Sequence, residues 1–152
     1  MSVRCSPASG PILRSFASLR SGGCLPVRLP MNTIRCGFYY ADDLLGPWSR
    51  HPANPIIVGD RRRARPAGRV LVFDNQLIRF AQDCMVRYGS QVRAFEVSEL
   101  TTTSYVEREH AQSPVLTASG NGWNRLGMHH VDPHLLPDGS WIAAVDGYHD
   151  SN

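Results

Sequence analysis

The sequence predicts an all-β domain built from antiparallel hairpins, and three observations support this fold class. A pattern of strand, tight polar turn and strand occurs twice, about sixty residues apart. No long helical periodicity separates the two copies, and the remaining apolar runs are short and bounded by Gly or Pro. Because a four-stranded propeller blade takes ~40–50 residues, this spacing favours part of a β-propeller. A β-sandwich, which also has short strands and frequent turns, is the alternative.

The first hairpin is predicted from Val70 to Asp83. Residues 70–73 are apolar, Asp74-Asn75 forms a two-residue turn, and residues 76–81 resume as a strand that leads to the carboxylate of Asp83. Asp and Asn both tolerate the positive φ that such a turn requires.

The second hairpin is predicted around Pro137-Asp138-Gly139, a strong turn signal. Leu135-Leu136 precedes the turn, and residues 141–145 return as a strand that ends near Asp146. Further strands are expected in CGFYYAD, at residues 56–58 and in SQVRAFEV. The run SELTTTSYVEREH fits either a turn and a strand or a short helix.

Residues 1–34 differ in composition from the rest of the chain. They are rich in Ser, Gly, Pro and Arg and contain no acidic residue, so we expect an irregular segment that is disordered or not native coding sequence. An Arg- and Ser-rich transit peptide is the alternative. Residues 35–152 are expected to form the partial propeller.

The cysteines and the apolar runs bear on the environment of the chain. Cysteines at 5, 24, 36 and 84 have no CxxC spacing, which predicts free thiols in a reducing cytoplasm. No apolar run approaches the ~18 residues of a membrane-spanning helix.

The net charge is +3, and all 16 basic residues are Arg. No aromatic interleaving or known module accompanies the charge, so no nucleic-acid partner is predicted. The densest basic run lies at Arg61, Arg62, Arg63, Arg65 and Arg69. It could dock an anionic glycan or a phospholipid head group, or it could be a solvated loop.

Several motifs, taken in order, resemble one domain family. They are ADDLLGPWSRHPANPI, ARPAGRV, RFAQDC followed by YG, a Glu-x-x-x-Leu-Thr run, and GMHHVD with WIAAVDG. Together they span about residues 38–147 and resemble the N-terminal domain of glucosamine inositolphosphorylceramide transferases, which is itself similar to the five-bladed propellers of arabinanase- and levansucrase-like glycosidases.

The resemblance implies two to two and a half blades of a five-bladed propeller. It also implies partners: the missing blades or an attached catalytic domain, and a glycan or glycolipid held in the intact protein. No counterpart of the transferase domain is expected in this chain. An open set of blades leaves sheet edges unpaired, so we expect a marginally stable or partner-dependent fold.

Three carboxylates are the candidates for catalysis: Asp83, Glu107 and Asp132. Glycosidases need two carboxylates flanking the bond, about 5–5.5 Å apart for retention or ~6.5–9.5 Å for inversion. Asp83 is the first choice because it ends a strand beside Arg79 and Gln82, and Asp146 is another possible partner. The alternative is that Asp83 caps a turn.

Five residues are the candidates for substrate binding: Arg65, Arg79, Gln82, Trp48 and His130. The tryptophans Trp48 and Trp123 could stack on a sugar ring or be buried in the fold. His129, His130, Asp132 and His134 suggest a metal site, but Pro133 breaks the spacing of two ligands on one helix face. In an extended strand His130, Asp132 and His134 share one side. There they could contact a sugar or an ion in the central channel of a propeller, or have a surface or structural role. We predict no metal and no cofactor.

Three hypotheses for function follow. The chain is a truncated domain that binds or processes a glycan or glycolipid, a non-catalytic binding or scaffolding module, or an inactive gene fragment. Whether it is an enzyme stays open at this stage.

Overall fold

The computed structural model describes residues 2–3, 15–21 and 34–150. The described residues form thirteen β-strands and contain no α-helix, and one 3-10 turn covers Gly122–Asn124. The all-β prediction is therefore confirmed for this part of the chain. Most of the N-terminal segment that we predicted to be irregular, with Cys5 and Cys24, lies outside the described residues, and its boundary at residue 34 stays a prediction.

The first sheet joins strands from both sides of that boundary. Its strands are β1 (Ser2–Val3), β2 (Ser15–Ser21), β3 (Arg35–Ala41), β4 (Ser49–Arg50) and β5 (Ile57–Val58). They follow the antiparallel order β1-β2-β3-β4, and β5 pairs with the other end of β3. Because β4 and β5 lie end to end along β3, the sheet is four strand positions wide.

The second sheet is the centre of the molecule. Its strands are β6 (Arg65–Pro66), β7 (Leu71–Phe73), β8 (Gln76–Asp83), β9 (Gln91–Leu100), β10 (Tyr105–Glu109) and β11 (Leu116–Thr117). The antiparallel order is β10-β9-β8-β6, with β7 beside β8 and β11 beside β9. This sheet is also four positions wide, since β6 and β7 share one edge of β8 and β10 and β11 share one edge of β9.

The third sheet contains two described strands, β12 (Gly127–Leu135) and β13 (Trp141–Tyr148). They pair antiparallel from Gly127↔Tyr148 to Leu135↔Trp141, with a bulge between Met128 and His130. The bulge leaves His129 without a direct partner in the ladder.

Both predicted hairpins are confirmed. Asp74 and Asn75 have φ of 49° and 58°, so both residues of the first turn adopt the left-handed region that the two types tolerate. Gly139 has φ of 84° in the second turn, where its lack of a Cβ avoids strain. One detail differs: β13 continues to Tyr148, so Asp146 lies inside the strand instead of at its end.

The other expected strands are also confirmed, and SELTTTSYVEREH contributes the end of β9, a turn and strand β10 instead of a helix. The turn is held by Thr101, whose Oγ1 accepts backbone N–H bonds from Thr103 and Ser104. Local side-chain hydrogen bonding of this kind favours turns over helix.

The three sheets pack face to face. One face of the central sheet presents Phe80, Val92 and Ala94, which pack with Ala67 and with Val131 of the third sheet. Between the first and central sheets lies a second cluster of Cys36, Phe38, Ile57 and Ala64, against which Tyr105 and Leu100 pack. The central sheet is therefore covered on both faces, which fixes the surroundings of every candidate residue on it.

The HPANP motif joins the first sheet to the central one. His51 is fully buried, its Nδ1 accepts the Ala53 N–H at 3.2 Å, and its Nε2 lies 3.0 Å from the carbonyl oxygen of Thr101. Because Nδ1 is the acceptor, Nε2 carries the proton. Asn54 Oδ1 accepts the Phe38 N–H at 2.8 Å, and Asn54 Nδ2 donates to the Phe38 carbonyl. The Asn54 side chain thus forms the two hydrogen bonds with the Phe38 backbone that a neighbouring strand would form.

Two remaining expectations concern thiols and membranes. Cys84 is a free thiol, as the sequence predicted, and both Cys36 and Cys84 are buried. No helix in the part of the chain that the structure describes is long and apolar enough to cross a membrane.

Candidate functional site

Asp83 closes strand β8 and is almost fully buried. Its Oδ1 accepts the backbone N–H of Met85 at 2.9 Å, and its Oδ2 accepts Gln91 Nε2 at 2.9 Å and Arg93 Nε at 2.7 Å. Arg93 also pairs with Glu109, which extends the set across three strands. The turn-capping contact that we kept as the alternative is present, and the carboxylate is held by two side chains as well.

The ionisation of Asp83 follows from these contacts. Burial by itself would raise the pKa of Asp83, but the hydrogen bonds from Gln91, the Met85 amide and Arg93 outweigh it and hold the pKa below its usual value. Asp83 is thus a carboxylate at neutral pH.

Glu107 forms a second buried group with Arg79. Arg79 Nε donates to Glu107 Oε2 at 2.7 Å and Nη2 donates to Oε1 at 2.8 Å, a bidentate pair of which each side chain is about 2–3% exposed. Arg79 Nη1 also donates to the Arg63 carbonyl, and the Tyr105 hydroxyl donates to Glu107 Oε2. Arg79, predicted to bind substrate, is therefore occupied within the protein.

The electrostatics of this group are consistent with a permanent ion pair. Burial by itself would lower the pKa of Arg79, but the Glu107 carboxylate outweighs it and raises that pKa further above its usual value. Burial also raises the pKa of the Tyr105 phenol, and the adjacent Glu107 charge acts in the same direction. Both Glu107 oxygens accept hydrogen bonds within the protein, and the side chain is about 2% exposed.

Asp132 lies on β12 in a more open setting. Arg69 Nε is 2.6 Å from Asp132 Oδ1, and Arg69 Nη2 donates to the Pro133 carbonyl at 2.7 Å. Each of the two side chains is about a third exposed. Arg69 thus fastens the loop before β7 to the third sheet.

The structure does not join the three candidate carboxylates to one another. Asp83 and Glu107 lie on the same face of the central sheet, but Glu107 pairs with Arg79, which is four residues, or about 13 Å of strand, from Asp83. Asp132 lies on the third sheet. Each of the three binds its own arginine, and their catalytic roles stay a prediction.

A different set of side chains meets at the ends of strands β6, β8 and β12, and we call it the Arg65 surface: Arg65, Tyr88, His129, Asp146 and Tyr148. The Arg65 guanidinium carbon lies 5.3 Å from the centre of the Tyr88 ring, a cation–π contact. Among the described residues, no carboxylate lies within ion-pair distance of Arg65. The Tyr88 ring is exposed, and Arg65 is half-buried against it.

His129 continues the surface. Its ring packs edge-on against Tyr88 at 5.3 Å and Tyr148 at 6.1 Å, and its Nδ1 lies 2.9 Å from Asp146 Oδ1. The Tyr148 hydroxyl donates to the Tyr88 carbonyl at 2.7 Å, which joins the β8–β9 loop to β13. Gly89 is required here, because a Cβ at that position would lie 2.4 Å from His129 Cβ.

Gln82 lies across the ladder from Arg65, in register with it. Its Nε2 donates to the Pro66 carbonyl at 3.2 Å, whereas its Oε1 is buried and has no hydrogen-bond partner among the described residues. An unpaired buried acceptor costs about 1–3 kcal/mol, so the placement of Gln82 lowers the stability of the fold.

The other predicted residues lie apart from this surface. Trp48 lies in the loop before β4, beside Gly46, and is about a third exposed. His130 and His134 share a side of β12 with Asp132, as the extended-strand prediction required, and His134 is exposed. No cluster of His, Cys, Asp or Glu suited to a metal ion occurs within the described ranges.

Sequence reasoning missed Tyr88, Tyr148 and the contact of His129 with Asp146. It also missed Arg93 as the partner of Asp83. The YG pair at Tyr88 and the Asp of WIAAVDG were visible in the sequence, but only the packing of the third sheet against the β8–β9 loop brings them together.

Comparison with known proteins finds a family whose sequences match this chain. Residues 31–148 match the family described as glucosamine inositolphosphorylceramide transferase 1, N-terminal. The match includes both predicted hairpins, the HPANP motif and the whole Arg65 surface.

Two curated relatives carry the same name. The chain is 37% identical over 111 residues to glucosamine inositolphosphorylceramide transferase 1 of Oryza sativa subsp. japonica, covering 72% of this chain and 15% of that protein. It is also 37% identical over 111 residues to the protein of the same name from Arabidopsis thaliana, covering 72% of this chain and 14% of that protein. The chain thus spans about a seventh of the relatives' length. No solved structure was found to match it.

Proposed function

The chain belongs to the family of glucosamine inositolphosphorylceramide transferase 1 N-terminal domains, and from this premise we propose that it is part of a β-propeller that binds a glycan or glycolipid. The relatives' own name refers to a glycolipid, and the aligned part is a small fraction of their length. The transferase activity in that name is a property of those proteins. For this chain we propose recognition of the sugar-bearing ligand.

The architecture supports the propeller. The first and central sheets are antiparallel and four strand positions wide, which is the width of a propeller blade. Consecutive sheets also pack face to face in chain order. A propeller of five such blades, as the family resemblance implies, would use this chain for part of its circle, with the remaining blades supplied as partners.

One observation carries the binding proposal: Arg65 is a half-buried cation that lies over the exposed Tyr88 ring and has no carboxylate partner in the described structure. The guanidinium can bind a phosphate or carboxylate with two parallel hydrogen bonds. The exposed Tyr88 ring can pack against the apolar face of a sugar. Gln82 stands behind Arg65 as a positioning residue.

The experiment is a binding measurement on the whole chain, with an array of neutral and acidic oligosaccharides and vesicles that contain phosphatidylinositol as probes. We expect an acidic glycan or the vesicles to bind, and Arg65→Ala to weaken that binding at least tenfold, since a hydrogen bond to a charged group contributes about 1.5–3 kcal/mol. Arg108→Ala is the matched control, because Arg108 is a surface arginine on β10 that pairs with Glu96.

Thermal unfolding of each variant separates loss of binding from loss of fold. Absence of binding to every probe, or equal weakening by the Arg65 and Arg108 substitutions in folded protein, would overturn the binding proposal.

Catalysis is the second candidate function, and the ionised state of Asp83 favours it. A carboxyl group that acts as nucleophile or general base must be ionised, and the lowered pKa of Asp83 meets that requirement. In this proposal Asp83 acts with Glu107 or Asp132 once the remaining blades are present. Asp83→Asn in a full-length relative tests it: lost turnover with retained glycan binding supports catalysis, whereas unchanged turnover excludes it.

A further inference from the structure

Strands β8 and β9 are joined by a short loop, residues 84–90, that presents four consecutive exposed side chains. These are Met85, Val86, Arg87 and Tyr88, and Val86 is 83% exposed and Met85 47%. Single exposed apolar residues are ordinary on a protein surface, whereas a contiguous apolar group marks an interaction site. Tyr88 belongs to the Arg65 surface, but Met85, Val86 and Arg87 have no role in it.

Hydrogen bonds at both ends hold the backbone of this loop. Asp83 Oδ1 accepts the Met85 N–H at 2.9 Å, and the Ser90 N–H donates to the Asp83 carbonyl at 2.9 Å. The Ser90 hydroxyl also donates to the Arg87 carbonyl at 3.1 Å. The loop thus presents Met85 and Val86 to solvent in a fixed conformation, so a partner can bury them without first ordering the backbone.

The position of the loop keeps it accessible in the proposed propeller. It lies at the same end of the central sheet as Arg65, because Arg65 pairs with Gln82 just before β8 ends. Blades of a propeller pack through the faces of their sheets, around a central channel. Further blades would therefore cover sheet faces and leave the loops at the strand ends exposed.

The charge around the loop is positive. Arg87, like Arg61 and Arg62 in the loop before β6, has no carboxylate within ion-pair distance among the described residues. The Arg61 carbonyl accepts the Cys84 N–H at 2.8 Å, which places the two loops side by side. Carboxylates of the same region are occupied within the protein: Asp83 by Arg93, Asp146 by His129 and Asp150 by Arg125.

An apolar tip beside unpaired arginines matches the chemistry of an anionic lipid surface. Apolar side chains enter the boundary between head groups and acyl chains, and each arginine near the surface is attracted to the anionic head groups. Met85 and Val86 supply the first interaction, and Arg87 supplies the second from the adjacent position.

We propose that residues 84–90 dock the chain on an anionic lipid surface, with Met85 and Val86 in the interfacial region of the bilayer and Arg87 against the lipid phosphates. This docking goes beyond glycan recognition, since it requires no sugar. It brings the Arg65 surface, at the same end of the central sheet, to the level of the lipid head groups, where the sugar of a glycolipid lies.

The test is co-sedimentation of the whole chain with vesicles of phosphatidylcholine and phosphatidylserine, which carry neither a glycan nor inositol. We expect binding that weakens as salt is added, and weaker binding to vesicles of phosphatidylcholine alone. Met85→Ser combined with Val86→Ser is expected to weaken binding by at least about tenfold, because less apolar surface leaves water. Arg87→Ala is expected to weaken it about fivefold through the loss of one charge.

Two matched variants serve as controls, and neither is expected to change vesicle binding. Val72→Ser makes the same exchange at a residue that is 51% exposed on β7, at the opposite end of β8 from the loop. Arg108→Ala removes a surface arginine of β10 that pairs with Glu96. Circular dichroism checks that every variant folds.

Absence of binding to the anionic vesicles overturns the docking proposal, and so does equal binding by Val72→Ser and the Met85, Val86 double variant. The double variant is also expected to bind soluble acidic oligosaccharides as the wild type does, and loss of both kinds of binding would overturn a separate docking site. Docking and glycan recognition can fail separately, because one is measured with sugar-free vesicles and the other with soluble oligosaccharides.

Discussion

The two faces of the central sheet are stabilised in different ways. On the face toward the third sheet, Phe80, Val92 and Ala94 pack with Ala67 and Val131 in an apolar cluster. On the face toward the first sheet, the same strands carry Arg79 and Arg93 with their carboxylates. Arg79 also lies 5.1 Å over the Phe95 ring, so an aromatic side chain packs against the charged group.

The charged face restricts how the strands pair, and the apolar face does so less. Apolar packing tolerates exchange of one side chain for another of similar volume. A buried bidentate pair such as Arg79–Glu107 accepts one arrangement only, and breaking it leaves a charge without compensation. The charged face therefore fixes the register of β10 on the sheet, whereas the apolar face contributes burial.

The largest expected effect is that of Glu107→Ala, which removes the carboxylate from buried Arg79. We expect the free energy of unfolding to fall by about 3–5 kcal/mol, because an uncompensated charge remains in the interior. Urea unfolding followed by circular dichroism measures it. The double variant Arg79→Met with Glu107→Leu is the control and is expected to be near neutral, since both charges leave together. A small loss in Glu107→Ala would mean that solvent reaches Arg79.

A smaller effect is expected on the apolar face. Val92 is fully buried, and Val92→Ala removes two methyl groups and leaves a small cavity, at a cost of about 2 kcal/mol in the free energy of unfolding. The same urea titration measures it. Val106→Ala, at an exposed position of the same sheet, should change little. If Val92→Ala cost more than Glu107→Ala, the ranking of the two faces would be reversed.

The smallest effect concerns the pH dependence of the charged face. Because the pKa of Asp83 is lower in the folded than in the unfolded chain, the unfolded state binds more protons between the two values. The contribution of Asp83 to stability is therefore complete above the unfolded pKa of about 3.9, and it is lost as the pH falls through the folded value. Asp83→Asn should flatten the stability curve below about pH 4.

The free energy of unfolding at several acidic pH values, for the wild type and Asp83→Asn, tests this prediction. The effect stays below the other two because Arg93 keeps its contact with Glu109. Asp74→Asn is the matched control, since Asp74 is an exposed turn residue whose positive φ Asn also tolerates. An unchanged slope in Asp83→Asn would show that another carboxylate carries the acid sensitivity; Glu109, whose pKa is also lowered, is the next to substitute.

Much of the fold could be predicted because its signals are local. The Asp74-Asn75 turn, the Pro137-Asp138-Gly139 turn and the short apolar runs in β8 and β9 each depend on residues a few positions apart, and these turns and strands were predicted correctly. The place of Asp83 at the end of a strand was predicted in the same way. Asp146 was predicted less well, because the end of a long strand is set by pairing with β12 rather than by a turn residue.

The sequence predicted several residues of the candidate site but not the contacts between them. Arg65 and Gln82 were chosen from neighbouring motifs, and their cross-strand register brings them together. Arg79 was also chosen from its position near Asp83. In the structure β10 packs beside β9, and Arg79 pairs with Glu107 of β10, 28 residues away. The partners of Arg65 on the surface, Tyr88 and His129, come from a loop and from a different sheet.

The sequence by itself determined the all-β class, the two hairpins, the membership of the motifs in one family and the acid-free character of residues 1–34. Tertiary structure alone decided which arginine meets which carboxylate, how His51 reaches Thr101 fifty residues away, and that the Arg65 guanidinium lies over the Tyr88 ring. The physical reason is range: turns and alternation are properties of adjacent residues, whereas ion pairs between strands and contacts between sheets depend on register and stacking, which no short stretch of sequence contains.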